Sequence, residues 1–171
     1  RLDGLDCETL AGGAVRIVIR HRVAPPIFKQ AYLCESAYTI LGSGDVLLDV
    51  LGVPQGDWGN TLPRVGVQLT LPVELNQVAW YGRGPGECYV DTQEAGRVDV
   101  HRTTVDAMLT PYVVPQECGN RTDVRWVTLT NLRGMGLMAA GAPTLNFSAH
   151  RFTTRDLELA RHTHELQPRD E

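Results

Sequence analysis

The sequence predicts an all-β fold of the sandwich type, and three observations carry that prediction. Apolar and polar residues alternate with a period of two in several short segments, the pattern of a strand with one buried face. Turn formers are frequent, with 17 glycines and 10 prolines in 171 residues. One stretch alone, near the C-terminus, carries the start signal of a helix. About nine short strands separated by turn residues fit a β-sandwich. The length suits a single domain over residues 1–171, with a core sufficient to fold without disulfide or metal staples.

Taken in order, Val15, Ile17 and Ile19 alternate with Arg16, Val18 and Arg20, a half-buried strand. Tyr32 to Leu41 repeats a looser alternation. Gly42-Ser-Gly44 then turns the chain back into Val46–Leu51, a hairpin whose glycines supply the positive φ of a tight turn. Val53 to Asn60 reads as a loop with one exposed aromatic, Trp58. Val65, Val67, Leu69 and Leu71 give the cleanest alternation, and Pro72 ends it. Further strands are expected over Gly96–Val105, Val124–Thr130, Gly136–Ala140 and Leu145–Phe152. Thr153 or Thr154 caps a short helix through Ala160, and Thr153 with Asp156 resembles a capping box.

Composition removes several function classes. The net charge is −4, Lys29 is the single lysine and no Lys/Arg run occurs, so nothing electrostatic favours nucleic acid. No apolar stretch approaches the roughly 20 residues of a membrane span. The first residues, Arg1-Leu-Asp-Gly-Leu-Asp, lack the basic and apolar regions of a signal peptide. With the polar ending Gln167-Pro-Arg-Asp-Glu171, they read as cuts inside a longer chain, leaving the sandwich without strands at both ends. Cys7, Cys34, Cys88 and Cys118 have no C-x-x-C or zinc-type spacing, so buried free thiols in a reducing compartment are expected.

Two polar-aromatic blocks hold the chemistry: Trp80-Tyr-Gly-Arg-Gly-Pro-Gly-Glu-Cys-Tyr-Val-Asp91 and Thr110-Pro-Tyr-Val-Val-Pro-Gln-Glu-Cys-Gly-Asn-Arg121. Each sets Gly and Pro corners beside rings and a carboxylate, a make-up of either structural corners or a polyol-binding surface. A retaining glycosidase needs two carboxyl groups about 5 Å apart. Glu87 and Glu117 are the one attractive pair, which sequence alone does not place side by side; carboxylates anchoring loops through backbone N–H groups are the expected role, with ligand contact without catalysis as the alternative. Tyr81, Tyr89, Tyr112, Trp80 and Trp126 could stack on sugar rings, although most are expected to fill the core.

Other chemistry finds less support. His162-Thr-His164 invites a metal, yet on a helix residues two apart point about 200° apart, so no metal site is expected and the pair is read as facing a helix dipole. His21, His101 and His150 fall in predicted strands without partner spacing. No Gly-x-Ser-x-Gly elbow is present. Gly82-Arg-Gly-Pro-Gly-Glu fails as a phosphate cradle, because Pro85 removes an N–H and no helix follows. A mutarotase-type isomerase would need a Glu base and a His acid on one sugar oxygen, and no motif supplies them.

In order and spacing, the blocks resemble the C-terminal domain, or small chain, of the large bacterial β-galactosidases of glycoside hydrolase family 2. The resemblance rests on Leu62-Pro-Arg-Val-Gly66, Gly82, Gly84, Pro85, Glu87, Tyr89 and Asp91. It continues through Thr110-Pro-Tyr112, Pro115-Gln-Glu117, Gly119-Asn-Arg121, Phe147-Ser-Ala149, Asp156-Leu157 and His162.

The resemblance implies a galactose-mutarotase-like supersandwich and a non-catalytic role: packing on a catalytic (β/α)8 barrel of the same parent chain and helping shape its galactose site. It also implies a cytoplasmic, homo-oligomeric parent that cleaves terminal β-D-galactosides such as lactose with retention. That parent would use Mg2+, and Na+ as a second ion, in the barrel, with no cofactor in this stretch. Glu87, Tyr89, Glu117 and Arg121 are the candidate sugar-contacting residues. Cys88 and Cys118 depart from the family, which often has Asn there. The alternative reading is a carbohydrate-binding module with galactoside affinity of its own.

Overall fold

The computed structural model describes residues 1–25, 29–58, 62 and 64–170. The protein is all-β: among the described residues eight strands form two four-stranded antiparallel sheets, with one short α-helix near the C-terminus. No helix among them is long and apolar enough to cross a membrane. The chain divides into two compact units, Arg1–Val67 and Gln68–Glu171.

The first unit is a meander of β1 (Leu2–Thr9), β2 (Val15–Val23), β3 (Ala31–Ile40) and β4 (Val46–Gln55), in that spatial order. Strand β1 escapes the sequence reading because Leu-Asp-Gly-Leu-Asp-Cys has no sustained alternation. Its register is held from the side: Arg20 on β2 reaches Asp6 on β1 at 2.5 Å and Glu35 on β3 at 2.9 Å. Such exposed pairs fix alignment more than they add stability. The β3–β4 turn forms as expected, with Gly44 at φ 92° and the Leu41 N–H donating to the Asp45 carbonyl at 2.9 Å.

Three expectations change in and beyond this sheet. Strand β4 runs on through Val53 and Pro54 to Gln55, and only then does the chain leave the sheet. Trp58 is half-buried, its ring 4.9 Å from Tyr32 and its indole N–H donating to the Gln55 carbonyl at 3.0 Å. Gly59 and Asn60 of that loop, and Pro63 of the Leu62–Gly66 stretch, lie outside the described residues. Val65, Val67 and Leu69 are exposed, and residues 64–71 are in no strand. Alternation marks a segment able to sit half-buried in a sheet. A ladder also needs a neighbour for its N–H and C=O groups, and no described residue pairs with this one.

The second unit contains β5 (Gln77–Gly84), β6 (Arg97–Thr104), β7 (Arg121–Thr130) and β8 (Gly136–Phe147), ordered β6-β5-β7-β8. Strand β5 includes the start of the first polar-aromatic block, read from sequence as a loop. Strand β8 fuses the two strands expected over 136–152 and stops at Phe147, so His150 lies beyond it. The Gly141-Ala-Pro143 break is absorbed where β7 and β8 slip register between Val124 and Trp126.

Val78, Trp80, Val105, Met108, Val124 and Val127 form this unit's buried core. The helix α1 (Thr154–Leu159) has the expected capping box. The Asp156 N–H donates to the Thr153 hydroxyl at 3.2 Å, and the Thr153 N–H donates to the Asp156 carboxylate at 2.8 Å. All four cysteines are free, but only Cys88 and Cys118, in the two loops of the second unit, are buried; Cys34 on β3 is half-buried and Cys7 on β1 is exposed.

Candidate functional site

The two polar-aromatic blocks meet at one end of the second sheet. Strand β5 carries Trp80, fully buried, whose indole N–H donates to the Arg83 carbonyl at 2.9 Å. Gly82 permits β5 to lie against β7: a Cβ there would stand 2.7 Å from the Val124 Cα and Cγ2. Arg83 ties the following loop down. Its Nε donates to Asp123 at 2.7 Å, and one terminal nitrogen donates to the carbonyls of Gln93 and Gly96.

Beyond Gly84 the chain delivers Glu87, Cys88 and Tyr89. Glu87 takes three donors from the second block: the Gly119 N–H at 2.8 Å, the Thr110 hydroxyl at 2.9 Å and the Tyr112 hydroxyl. Partial burial opposes its charge, but these bonds outweigh burial and hold its carboxyl below the usual glutamate value. Gly119 sits at φ 75°, and a Cβ there would meet the Met108 carbonyl at 2.7 Å. The chain thus needs glycine where Glu87 needs a free N–H.

Main-chain pairing locks the two blocks together. The Cys88 N–H donates to the Asn120 carbonyl at 2.8 Å, while the Cys88 carbonyl accepts from the Asn120 amide and the Thr122 hydroxyl. Tyr89 donates its hydroxyl to Glu117 at 2.9 Å. Burial and that carboxylate raise the phenol far above its ordinary range, so it is a fixed donor. The Cys118 thiol is also pushed up by burial, which keeps it protonated and unreactive.

Under this network lies Arg121, only 4% exposed. Its guanidinium stands 5.2 Å from the Trp80 ring centroid, and one terminal nitrogen donates to the Gly119 and Asn120 carbonyls. Burial weakens its hold on the proton, while Glu87 restores part of it. His150 completes the group. The Cys118 carbonyl 2.7 Å from its Nε2 can only accept, so Nε2 carries the proton and the buried Nδ1 has no partner among the described residues. Burial accordingly lowers the His150 pKa.

The structure therefore brings Glu87, Tyr89, Glu117 and Arg121 into one network. Sequence reading missed the Arg83–Asp123 tie, the Asn120 and Thr122 links to Cys88, and the seat of His150. The first three had a signal in the density of polar residues around 119–123; His150 had none, because its partner is a backbone carbonyl. Of the aromatic candidates, Trp80 is core, Trp126 half-buried, and Tyr81 exposed with Arg125 5.5 Å from its ring centroid. A cavity lined by Thr110, Tyr112, Pro115, Leu157 and Thr163 among others has a volume of about 10 Å³. That is room for a water molecule, not a sugar. What the network does chemically is hold two loops in fixed relation.

Residues 4–171 match the protein family described as beta galactosidase small chain. A beta-galactosidase of Priestia megaterium is 34% identical over 137 residues, which cover 80% of this chain and 13% of that protein. The beta-galactosidase BgaC of Bifidobacterium adolescentis is 39% identical over 169 residues, covering 95% of this chain and 16% of the relative. A beta-galactosidase of Lactobacillus delbrueckii subsp. bulgaricus is 30% identical over 166 residues, covering 97% and 16%. The chain thus spans only a small part of the length of the relatives it matches.

Proposed function

The chain belongs to the β-galactosidase small-chain family, and from that membership we propose that it is a non-catalytic part of a longer β-galactosidase. The parent hydrolyses terminal non-reducing β-D-galactosides such as lactose by a retaining double displacement, with its reacting carboxylates in a (β/α)8 barrel elsewhere in the polypeptide. This stretch packs on that barrel as part of a galactose-mutarotase-like supersandwich, and the loops pinned by Glu87, Tyr89, Glu117 and Arg121 help shape the galactose site.

One observation carries the proposal. Glu87, the best carboxylate in the chain for sugar chemistry, has its oxygens engaged by Gly119, Thr110 and Tyr112 and is held ionised. A general acid needs a proton at working pH, and a nucleophile needs a free oxygen aimed at the sugar's anomeric carbon. Glu87 offers neither.

The parent is assigned to the cytoplasm, a reading supported by four free cysteines, and to a homo-oligomer. Mg2+, with Na+ as a second ion, is assigned to the barrel. Among the described residues the one group able to gather a metal is His162, His164 and Glu165. Two imidazoles do not suit Mg2+, which takes oxygen ligands, so no step here runs through that ion.

Calorimetric titration of the purified chain with lactose, alongside a chromogenic galactoside assay, tests the proposal. Neither saturable heat at millimolar sugar nor turnover is expected. Saturable heat would favour a carbohydrate-binding module, and turnover abolished by Glu87→Gln or Glu117→Gln would make the chain itself the catalyst.

A further inference from the structure

The corner after α1 is not α-helical, and that changes what its histidines can do. Ala160 and His162 are extended, with His162 at φ −141° and ψ 150°, and Thr163–Glu165 forms a 3₁₀ turn. The 200° separation expected of two residues on an α-helix therefore does not apply. Instead the His162 and His164 rings stack, their centroids 5.4 Å apart and their planes 20° apart. Three residues per turn also places Glu165 over His162, with its Oε1 2.9 Å from the His162 Nδ1.

We propose that His162, His164 and Glu165 form a binding site for a borderline divalent transition metal, Zn2+ or Ni2+, on the surface of the second unit. One ligand atom from each side chain lies within 4.8 Å of the other two. Tetrahedral zinc with bonds of about 2.0–2.2 Å needs its ligands about 3.3 Å apart, a closing movement that rotation of exposed side chains can supply. All three residues are exposed, which leaves them free to make that rotation and leaves water to fill the remaining positions.

The carboxylate is already oriented for the task. The Arg161 N–H donates to Glu165 Oε2 at 2.9 Å, leaving Oε1 toward the imidazoles. As the metal takes the place of the His162 Nδ1 proton that bridges to Glu165, water relays that one proton to Nε2, so the ring stays neutral. Two imidazoles and one carboxylate favour the nitrogen-seeking end of the first-row series and disfavour Mg2+ and Ca2+. Between the two histidines, the Thr163 hydroxyl donates to the Tyr112 carbonyl at 3.4 Å, so the ion would brace the loop that anchors Glu87. This site is independent of the β-galactosidase reading, since it requires neither a sugar nor a barrel.

The test is calorimetric titration of the chain with zinc chloride, with magnesium chloride as the comparison. One Zn2+ per chain is expected, with no saturable heat from Mg2+. His162→Ala and His164→Ala should each weaken Zn2+ binding by about tenfold or more, and Zn2+ should raise the melting temperature of the parent chain but not of the double variant. These side chains are exposed, so circular dichroism should show the variants folded as the parent. Absence of saturable Zn2+ binding would overturn the proposal. So would equal affinity in the parent and the double variant, the outcome expected if Cys7 or other surface groups held the ion.

Discussion

Glu87 carries a charge that three donors address, and the consequence is measurable. Glu87→Gln keeps the shape but removes charge assistance from the bonds to Gly119, Thr110 and Tyr112. Hydrogen bonds to a charged group are worth about 1.5–3 kcal/mol, so a loss of about 2 kcal/mol is expected, read as a lower urea midpoint. Because the Glu87 pKa is depressed in the folded state, its contribution is complete above the unfolded glutamate value and fades as pH falls through the folded one. His150 acts earlier on the acid side. Its folded pKa lies below 6.5, so the unfolded chain takes up the proton first and stability declines as pH drops below that value. His150→Asn should flatten that first part of the stability–pH curve and leave the Glu87 part intact. An unchanged curve would show that the ring does not resist its charge.

At the scale of elements, the sequence made legible whatever a local rule decides. The β3–β4 hairpin followed from Gly42-Ser-Gly44, and the start of α1 from the Thr153–Asp156 spacing. What a neighbour decides stayed hidden. The alternation at Val65–Leu71 has no ladder among the described residues, and β1 has a ladder with little alternation. The first block looked like a loop because it is rich in glycine, yet Gly82 is in a strand, paired with Asp99 of β6, and is glycine because β7 comes too close for a side chain. Gly82→Ala should therefore cost about 3 kcal/mol, since the clash is with backbone that cannot rotate away. A thermal melt checks it, and a variant as stable as the parent would mean that β5 and β7 can separate. The helix ends at Leu159, close to the expected Ala160, and His162-Thr-His164 lies beyond it in an extended residue and a 3₁₀ turn, where the α-helical spacing of side chains does not apply.

For the molecule as a whole, the candidate site was legible as a list of residues but not as a network. The spacing of the two blocks named Glu87, Tyr89, Glu117 and Arg121. It could not show that Glu87 faces Gly119, or that Arg121 lies under Trp80, because those contacts depend on how β5 and β7 pair. Once assembled, the charges answer one another: a buried guanidinium, an ionised carboxylate and a phenol that keeps its proton. Such a group rigidifies the loops that carry it. The most direct test is kcat on a chromogenic galactoside for Glu87→Gln, made in a full-length β-galactosidase carrying this chain and assayed while folded. Scaffolding predicts a kcat within about twofold of the parent together with a lower melting temperature. A kcat loss of about a thousandfold at an unchanged melting temperature would place Glu87 in the chemistry instead.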